Sequence, residues 1–383
     1  MTSDLTEQRF IVGIDLGTTN CAVCYVDRKA EEKAAKQRIL PFQIPQLSGP
    51  GEIKRLLLLP SFYYIPGHYD LPKEAVAHPW KSHDTNFAGA FARDHGSKVP
   101  ARLVSSAKSW LCHAKVDRKA RILPWGAGGE VRKVSPVETT SAYLKHIRLA
   151  WNSVWDEDDI LEHQLVIATV PASFDEVARE LTLMAAKEAG LEHIVLLEEP
   201  LAAFYSWLCR HEHDWKEYVT PGELILVCDV GGGTTDFTLI ALKDVGEGPR
   251  FERIAVGNHL ILGGDNIDLT LAQRIEAGFT TKKKTLSSDR WKTLCHQCRQ
   301  AKESILSGAA NSKRIILTGE GRRLIADTLS TELTKEIVQE SILEGFFPIV
   351  GPNDISTAGI RGGITEFGLP YEQEPAITRH LGH

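Results

Sequence analysis

The hydrophobic pattern of this chain consists of short apolar runs that are separated by polar and glycine-rich turns. The runs at 10–14, 165–170 and 224–227 are too short for helices and rich in branched residues, so they predict buried strands. Apolar residues recur at helical spacing at 177–185, after a capping-box sequence that begins at Ser173. Strands that alternate with helices in this way predict an α/β fold, with a largely parallel or mixed sheet covered by helices.

Two of the predicted strands run into turns that carry the same polar residues in the same order. The first turn is Asp15-Leu16-Gly17-Thr18-Thr19-Asn20; the second starts 214 positions later and is Asp229-Val230-Gly231-Gly232-Gly233-Thr234-Thr235-Asp236. Glycines let the backbone turn sharply, consecutive N–H groups in such a turn form a concavity that binds anions, and threonine hydroxyls add donors. We therefore predict a duplicated fold in which one phosphate loop from each half closes on the phosphates of a nucleotide. Two unrelated glycine-rich hairpins are the alternative.

Carboxylates and a second glycine pair accompany these loops. Asp229 and Asp236 would repel phosphate, so they suit a hydrated Mg²⁺ ion or an attacking water beside it. Gly263 and Gly264 precede a predicted helix, and the positive end of a helix attracts anions. We predict a third phosphate contact at this glycine pair.

Length and composition limit the classes of protein to which the chain can belong. Its 383 residues predict two or more domains, and 43% hydrophobic with 25% charged residues predict a globular protein. The net charge of −6 argues against a dedicated nucleic-acid binder. No apolar segment approaches the ~20 residues of a membrane span, and residues 1–9 lack the apolar core of a signal peptide. We therefore expect a cytoplasmic protein without a membrane or nucleic-acid partner.

Cysteine spacing raises the possibility of zinc. The seven cysteines fit a reducing compartment, and two Cys-x-x-Cys pairs, Cys21/Cys24 and Cys295/Cys298, have ligand-like spacing. Neither pair has the glycines typical of zinc ribbons, and residues three apart on a strand face opposite sides. Free thiols are therefore favoured over a zinc site.

Six motifs follow one another in a fixed order between about residues 9 and 345. They are Ile14-Asp15-Leu16-Gly17-Thr18-Thr19-Asn20, Leu59-Pro60-Ser61-Phe62, Thr169-Val170-Pro171-Ala172-Ser173-Phe174, Glu199-Pro200-Leu201-Ala202-Ala203, the stretch 229–236, and Leu262-Gly263-Gly264-Asp265-Asn266-Ile267-Asp268. This set resembles the nucleotide-binding domain of the heat-shock protein 70 (Hsp70) chaperone family, within the actin and sugar-kinase superfamily. The chain is similar to a divergent bacterial-type member of that family.

The resemblance implies an α/β, actin-like ATPase fold with two lobes, each a mixed sheet flanked by helices, on a duplicated ribonuclease-H-like core. Residues 1–220 would form lobe I, with irregular inserts within 27–135, and residues 221–383 would form lobe II. The family closes lobe II with a further strand, a Gly-Gly turn and a helix that completes the adenosine pocket. No such stretch is found before His383, so we expect lobe II to be incomplete and to expose apolar surface.

The resemblance also implies ATP or ADP with Mg²⁺ in the cleft between the lobes. The residues with implied catalytic roles are Asp15, Arg93, Glu199, Asp229 and Asp236. The residues implied to hold the nucleotide are Gly17, Thr18, Thr19, Asn20, Gly231, Gly232, Gly233, Thr234, Gly263, Gly264 and Lys302. Asp15 and Asp229 would bind Mg²⁺ through its waters, and Glu199 and Asp236 would position the attacking water. Pro171 and Arg179 match residues that relay the nucleotide state to a substrate domain.

The chain departs from the family near the terminal phosphate. The family has a lysine in a Gly-x-Ala-Ala-Lys stretch, and the nearest match here is Gly89-Ala90-Phe91-Ala92-Arg93. Arg93 keeps the positive charge of that lysine, but carries it on a planar guanidinium group instead of an ammonium. The stretch 101–113, farther along, predicts a short helix. In the adenosine-binding helix, Lys302 matches the family, whereas Arg299 replaces a glutamate.

Three functions are compatible with these residues. The first is a chaperone-type module with slow, Mg²⁺-dependent ATP hydrolysis coupled to protein folding or partner control. Its partners would be client proteins, co-chaperones or a missing substrate-binding domain. The second is a nucleotide-binding interaction module without significant turnover. The third and weakest is a metabolite kinase, for which no catalytic aspartate base stands out.

Overall fold

Strands and helices alternate along much of the chain, as the hydrophobic pattern predicts. The structure, a computed structural model, describes residues 8–31, 39–67, 71, 76–80, 85–113, 115–244, 249–258, 260–279, 286–319, 328–351, 353–354, 360–361, 371–372 and 374–382. Its strands are β1 (Phe10–Leu16), β2 (Asn20–Asp27), β3 (Leu40–Pro41), β4 (Ile44–Gly49), β5 (Glu52–Leu56), β6 (Leu58–Pro60), β7 (Phe62–Tyr64), β8 (Phe87–Ala88), β9 (Leu103–Ser105), β10 (Leu165–Val170), β11 (Ile194–Glu198), β12 (Leu224–Val230), β13 (Thr235–Asp244), β14 (Pro249–Val256), β15 (Ser312–Leu317), β16 (Leu329–Thr334), β17 (Ile360–Arg361) and β18 (Tyr371–Glu372). Its helices are α1 (Arg28–Glu31), α2 (Ala90–Gly96), α3 (Ala107–Leu111), α4 (Pro136–Asn152), α5 (Glu176–Glu188), α6 (Glu199–Arg210), α7 (Gly264–Phe279), α8 (Ser288–Leu306) and α9 (Lys335–Gly345).

A mixed sheet organises lobe I. β1 and β2 form an antiparallel hairpin, β1 pairs in parallel with β10, and β10 pairs in parallel with β11. With β3 at the far edge, the spatial order is β11–β10–β1–β2–β3. α4 and α5 pack against each other, and Phe10, Leu144 and Trp151 lie fully buried in the core of this lobe. The order places the end of β1, and the turn that follows it, near the centre of the sheet.

The helix after β10 begins later than the sequence predicts. A capping box that begins at Ser173 was expected, but the N-cap is Asp175, whose carboxylate accepts a hydrogen bond from the N–H of Ala178 at 2.7 Å. The predicted start was therefore wrong. Aspartate is as good an N-cap as serine, and this carboxylate is also held by Arg118 at 2.9 Å.

Lobe II repeats the first hairpin. β12, β13 and β14 form an antiparallel sheet in which β12 and β13 pair as β1 and β2 do. Within the described residues, no strand pairs with the outer edge of β12, where the equivalent strand β1 of lobe I has β10. This repeat confirms the predicted actin-like, duplicated core, with a second lobe that is partial in the described part of the chain. The division at residue 220 stays a prediction.

The rest of lobe II packs around α7, α8 and α9. These helices and the β15–β16 hairpin bury a second core that includes Leu271, Leu294, Cys298, Leu333 and Val338, all with 0% exposure. The core fixes α7, so that the start of this helix lies against the turn between β12 and β13.

Exposed apolar side chains mark the edge strand of lobe II. On β12, Leu224 is 59% exposed and Leu226 is 47% exposed. Both side chains lie on the strand whose outer edge has no partner among the described residues.

Candidate functional site

The first turn is held by a serine from a neighbouring segment. The hydroxyl of Ser61 donates to the carbonyl of Gly17 at 2.7 Å, and its N–H donates to the carbonyl of Thr19 at 2.8 Å. Ser61 is buried, and a Cβ atom added to Gly17 would collide with the carbonyl oxygen of Asn20. The first loop therefore needs a glycine at this position and a fixed partner beside it.

The second turn is braced by the start of α7. The N–H of Gly231 donates to the carbonyl of Thr234 at 2.8 Å and closes the turn. The carbonyls of Gly231 and Gly232 accept hydrogen bonds from the N–H groups of Gly264 at 3.1 Å and Asp265 at 2.7 Å. These contacts orient the carbonyls of the loop towards α7.

The glycine pair at the start of α7 therefore has a structural contact with the loop. The N–H of Gly263 donates to the side-chain oxygen of Asn266 at 2.8 Å, while the N–H of Gly264 bonds to the loop. A Cβ atom on Gly263 would lie only 2.6 Å from the carbonyl oxygen of Gly231. The third phosphate contact at Gly263 and Gly264 stays a prediction, and the contacts described here support the second loop.

The two loops meet directly. A Cβ atom added to Gly232 would collide with the side chain of Thr19, and one added to Gly233 would lie 2.9 Å from Cγ2 of Thr18. Only glycine allows this approach without displacing the opposite loop. The two loops thus contact each other, and their closing on the phosphates of a nucleotide stays a prediction.

Several backbone donors of the second loop are unpaired. Among the described residues, none accepts a hydrogen bond from the N–H groups of Gly232, Gly233 or Thr234. Gly233 and Thr234 are buried, and buried N–H groups in proteins are nearly always paired. A group of unpaired N–H donors at the contact between two loops is suited to an anion.

Carboxylates end the first strand of each hairpin. Asp15, at the end of β1, accepts a hydrogen bond from the hydroxyl of Thr169 at 2.8 Å. Asp229, at the end of β12, is paired directly opposite Asp236 on β13. Like charges in directly opposite positions repel each other. Burial raises the pKa of Asp229, and the Asp236 carboxylate raises it further.

A buried lysine lies among these carboxylates. Lys108 on α3 is 7% exposed, and its ammonium donates to the carboxylate of Glu199 at the start of α6. Burial lowers the pKa of Lys108, but Glu199 and Asp15 outweigh this effect and raise it, so the lysine stays cationic. Burial raises the pKa of Glu199, and Lys108 opposes that shift. Lys108 was not among the predicted site residues; its signal in the sequence is a lysine within the mostly apolar stretch Ala107-Lys108-Ser109-Trp110-Leu111.

Arg93 makes different contacts. It lies on α2, and its guanidinium donates to the carboxylate of Asp94 at 2.7 Å. The carboxylate of Glu303 on α8 also acts on the pKa of Arg93, after Asp94 and burial. The described contacts thus bring Lys108, and not Arg93, to Glu199. The catalytic role of Arg93 stays a prediction with no described contact to the site carboxylates.

Lys302 is anchored behind the second loop. Its ammonium donates to the carbonyl of Gly264 at 3.0 Å and pairs with Asp268 at 2.7 Å. Arg299 binds Asp268 at 2.7 Å and also pairs with Asp265. Lys302 therefore lies close to the predicted nucleotide-binding residues of lobe II, and its own contact with a nucleotide stays a prediction.

A carboxylate next to Glu199 joins the two lobes. Arg179 of α5 donates to Glu198 at 2.8 Å, and Arg253 of β14 pairs with the same carboxylate. The predicted relay residue Arg179 thus reaches lobe II through Glu198, one position before the predicted catalytic Glu199.

We expect the free energy of unfolding, measured without divalent cations, to fall as pH rises through the raised pKa of Asp229. Because the folded protein keeps this proton to a higher pH than the unfolded chain does, stability is lost as the proton leaves. Urea denaturation from about pH 4 to pH 8 should show the parent losing stability relative to Asp229→Asn, whose amide does not titrate. A constant difference between the two proteins over this range would contradict the prediction.

Neither a group of direct metal ligands nor a membrane-spanning helix is found in the part of the chain that the structure describes. Within the described residues, no three or more His, Cys, Asp and Glu side chains are grouped to hold a metal ion directly. No helix in the described part of the chain combines the length and the apolarity that crossing a membrane requires.

Comparison with known proteins agrees with the repeated loops. A family model described as Hsp70 protein matches residues 84–343. The chain is 28% identical to the chaperone protein HscA homologs of Burkholderia cenocepacia, Burkholderia ambifaria and Burkholderia pseudomallei, in alignments that cover 98% of its length. It spans about half the length of these curated relatives, 55% in each case. The family model covers most of the chain, including Lys108, the second loop and α7. This protein therefore belongs to the Hsp70 family as a divergent member.

Proposed function

We propose that this chain binds ATP and ADP with Mg²⁺ between its two hairpin turns and hydrolyses ATP slowly. The observation that supports this most is the contact between the two loops, where the N–H groups of Gly232, Gly233 and Thr234 have no acceptor among the described residues. Donors that converge from two lobes are suited to a chain of phosphates rather than to a single surface anion.

The loops would hold the phosphates from opposite sides. Thr18, Thr19 and Asn20 would bind from lobe I, and residues 231–234 would bind from lobe II. Gly17 and the glycines of the second loop keep side chains out of the space between them. Gly263, Gly264 and Lys302 would support the nucleotide from behind, through the contacts that orient the second loop.

The residues present fit a hydrated Mg²⁺ ion. Asp15 and Asp229 end equivalent strands of the two hairpins, and the raised pKa of Asp229 reflects a carboxylate that a cation would stabilise. Mg²⁺ prefers oxygen ligands and keeps several waters, so one or two carboxylates are enough to place it. When bound, the ion neutralises charge that develops during phosphoryl transfer.

The chain itself would supply charge and orient the attacking water. Lys108 stays cationic and would stabilise negative charge on the phosphoryl group. Glu199, held by Lys108, and Asp236, which is 2% exposed, would orient the water. Carboxylates are weak bases, and Glu199 is already paired, so we expect slow turnover.

Membership of the family supports a chaperone-type role for this chain. Hydrolysis would be coupled to protein folding or to the control of a partner, with client proteins, co-chaperones or a substrate-binding domain as partners and the cytoplasm as location. The contacts of Glu198 with Arg179 and Arg253 support such coupling, since they join both lobes next to Glu199. An interaction module without turnover stays the alternative, and a metabolite kinase the weaker one.

The test is single-turnover hydrolysis of ATP by the purified chain, with and without Mg²⁺. We expect slow release of phosphate that stops when the metal is chelated. Nucleotide binding without phosphate release would favour the interaction module, and faster ADP formation when sugars are added would favour a kinase. No binding and no release by a folded sample would contradict the proposal.

A further inference from the structure

One buried hydroxyl beside the second loop makes no hydrogen bond within the described residues. It belongs to Ser109, which lies on α3 next to Lys108 and is 4% exposed. A Cβ atom added to Gly233 would collide with this hydroxyl and would also approach the side chain of Thr18. Ser109 therefore lies where lobe I closes on both loops.

Several buried hydroxyls in other helices of the chain are paired. Thr139, Thr182 and Ser341 each donate to the carbonyl four positions earlier, at 2.9, 2.8 and 2.7 Å. Ser109 does not do so, because four positions earlier is Ser105, the last residue of β9. An unpaired buried hydroxyl is unfavourable by itself, so the position of Ser109 calls for an external acceptor.

Backbone donors lie close to this hydroxyl. The N–H groups of Gly233 and Thr234 are unpaired within the described residues, and Lys108 adds a positive charge one position before Ser109. An occupant of this place must accept hydrogen bonds from several directions. A tetrahedral phosphoryl group does so, whereas the oxygens of a carboxylate lie in one plane.

We propose that Ser109 is a further phosphate-binding residue, whose hydroxyl donates a hydrogen bond to a phosphoryl oxygen held between Thr18 and Gly233. This inference rests on the proposed function, because it uses the same two loops. The phosphoryl group is either part of the nucleotide or the inorganic phosphate that hydrolysis releases. Since Ser109 belongs to lobe I and Gly233 to lobe II, the phosphoryl group would also link the two lobes.

The variant Ser109→Ala removes the hydroxyl and keeps a good helix former in α3. Calorimetric titrations with MgATP, with MgADP, and with inorganic phosphate in the presence of MgADP distinguish the possible sources of the phosphoryl group. We expect about tenfold weaker binding in at least one titration, because this is the usual effect of losing one hydrogen bond to a charged group. If the affinity falls for MgATP and for inorganic phosphate but not for MgADP, the bond is to the terminal phosphoryl group. If the affinity falls in all three titrations, the bond is to a phosphate that both nucleotides share.

The matched control is Ser341→Ala, which removes a buried hydroxyl on α9 that is paired with the carbonyl of Ile337. We expect this control to keep the parent's affinities but to melt at a lower temperature. Ser109→Ala should melt at the parent's temperature or above it, because no internal hydrogen bond is lost.

Three outcomes would overturn the inference. If Ser109→Ala binds every ligand as the parent does, Ser109 is not a phosphate ligand, and the proposed function stands. If affinity falls only together with the melting temperature, the role of Ser109 is structural. If the folded parent binds none of the three ligands, both the proposed function and this inference are wrong.

Discussion

Replacing Lys108 with methionine is expected to lower MgATP turnover by about a hundredfold or more, the usual effect of removing one donor that stabilises charge in the transition state. Methionine keeps much of the length of the side chain but removes its charge. The ammonium of Lys108 is buried and paired with Glu199, and Glu199 and Asp15 keep it cationic. The loss should therefore appear in the rate of phosphate release measured under single-turnover conditions.

The same substitution leaves Glu199 buried without its cation. Breaking one side of a buried ion pair costs about 3 kcal/mol of stability, so the variant should unfold at a lower urea concentration. A second variant, Lys108→Met with Glu199→Gln, should recover stability without recovering turnover. This pair of measurements separates a loss of charge at the phosphates from a loss of fold.

Arg93→Met is the matched control, because the sequence analysis gave the corresponding charge to Arg93. Its guanidinium pairs with Asp94 and makes no described contact with Glu199. We therefore expect the turnover of Arg93→Met to stay within about threefold of the parent, a change of less than about 1 kcal/mol in the activation free energy. Loss of turnover in Arg93→Met with normal turnover in Lys108→Met would show that the sequence-based prediction is right and the assignment to Lys108 is wrong.

The variant Asp229→Asn is expected to abolish Mg²⁺-dependent turnover while making the nucleotide-free protein more stable. Asp229 lies directly opposite Asp236, and burial together with this neighbour raises its pKa. An amide removes the repulsion, which is worth up to about 1 kcal/mol for a cross-strand pair. It also removes the charge that would place the metal ion.

The control for this second prediction is Glu252→Gln in the same sheet. Glu252 is a surface carboxylate of β14 that pairs with Lys243 at 2.7 Å, and we expect its loss to leave both turnover and metal dependence unchanged. Urea denaturation and single-turnover assays on both variants test the prediction. Normal turnover in Asp229→Asn, or lower stability than the parent, would contradict the placement of the metal.

The two loops could be predicted because the residues that form each of them follow one another in the sequence. In each hairpin a short apolar strand, a glycine-rich turn and a returning strand follow one another directly, so Asp15 and Asp229 could be placed at strand ends from the sequence. The resemblance added the order of the motifs, and with it the actin-like fold. The contact between Gly232 and Thr19 could only be expected from the repeat, since these residues come from different lobes.

Lys108 was missed because its environment is created by tertiary structure. The stretch 101–113 predicts one short helix, but Ser106 has a left-handed backbone with φ of 52°, and α3 starts only after it. This bend lets α3 bury Lys108 against Glu199, a partner that is 91 positions away in the chain. Neither the left-handed backbone at Ser106 nor the distant partner Glu199 produces a periodic pattern in the sequence. The link from Glu198 to Arg253 was missed for the same reason, because it joins residues of different lobes.

Calorimetric titration of the purified chain with ATP, in the presence and absence of Mg²⁺, tests the central claim most directly. The claim is that the two loops together form a phosphate site completed by a metal ion. We predict one site per chain with affinity of about 1 µM or tighter, roughly −8 kcal/mol, which weakens when Mg²⁺ is removed. Absence of binding by a folded sample, or binding of the same strength without Mg²⁺, would contradict the account.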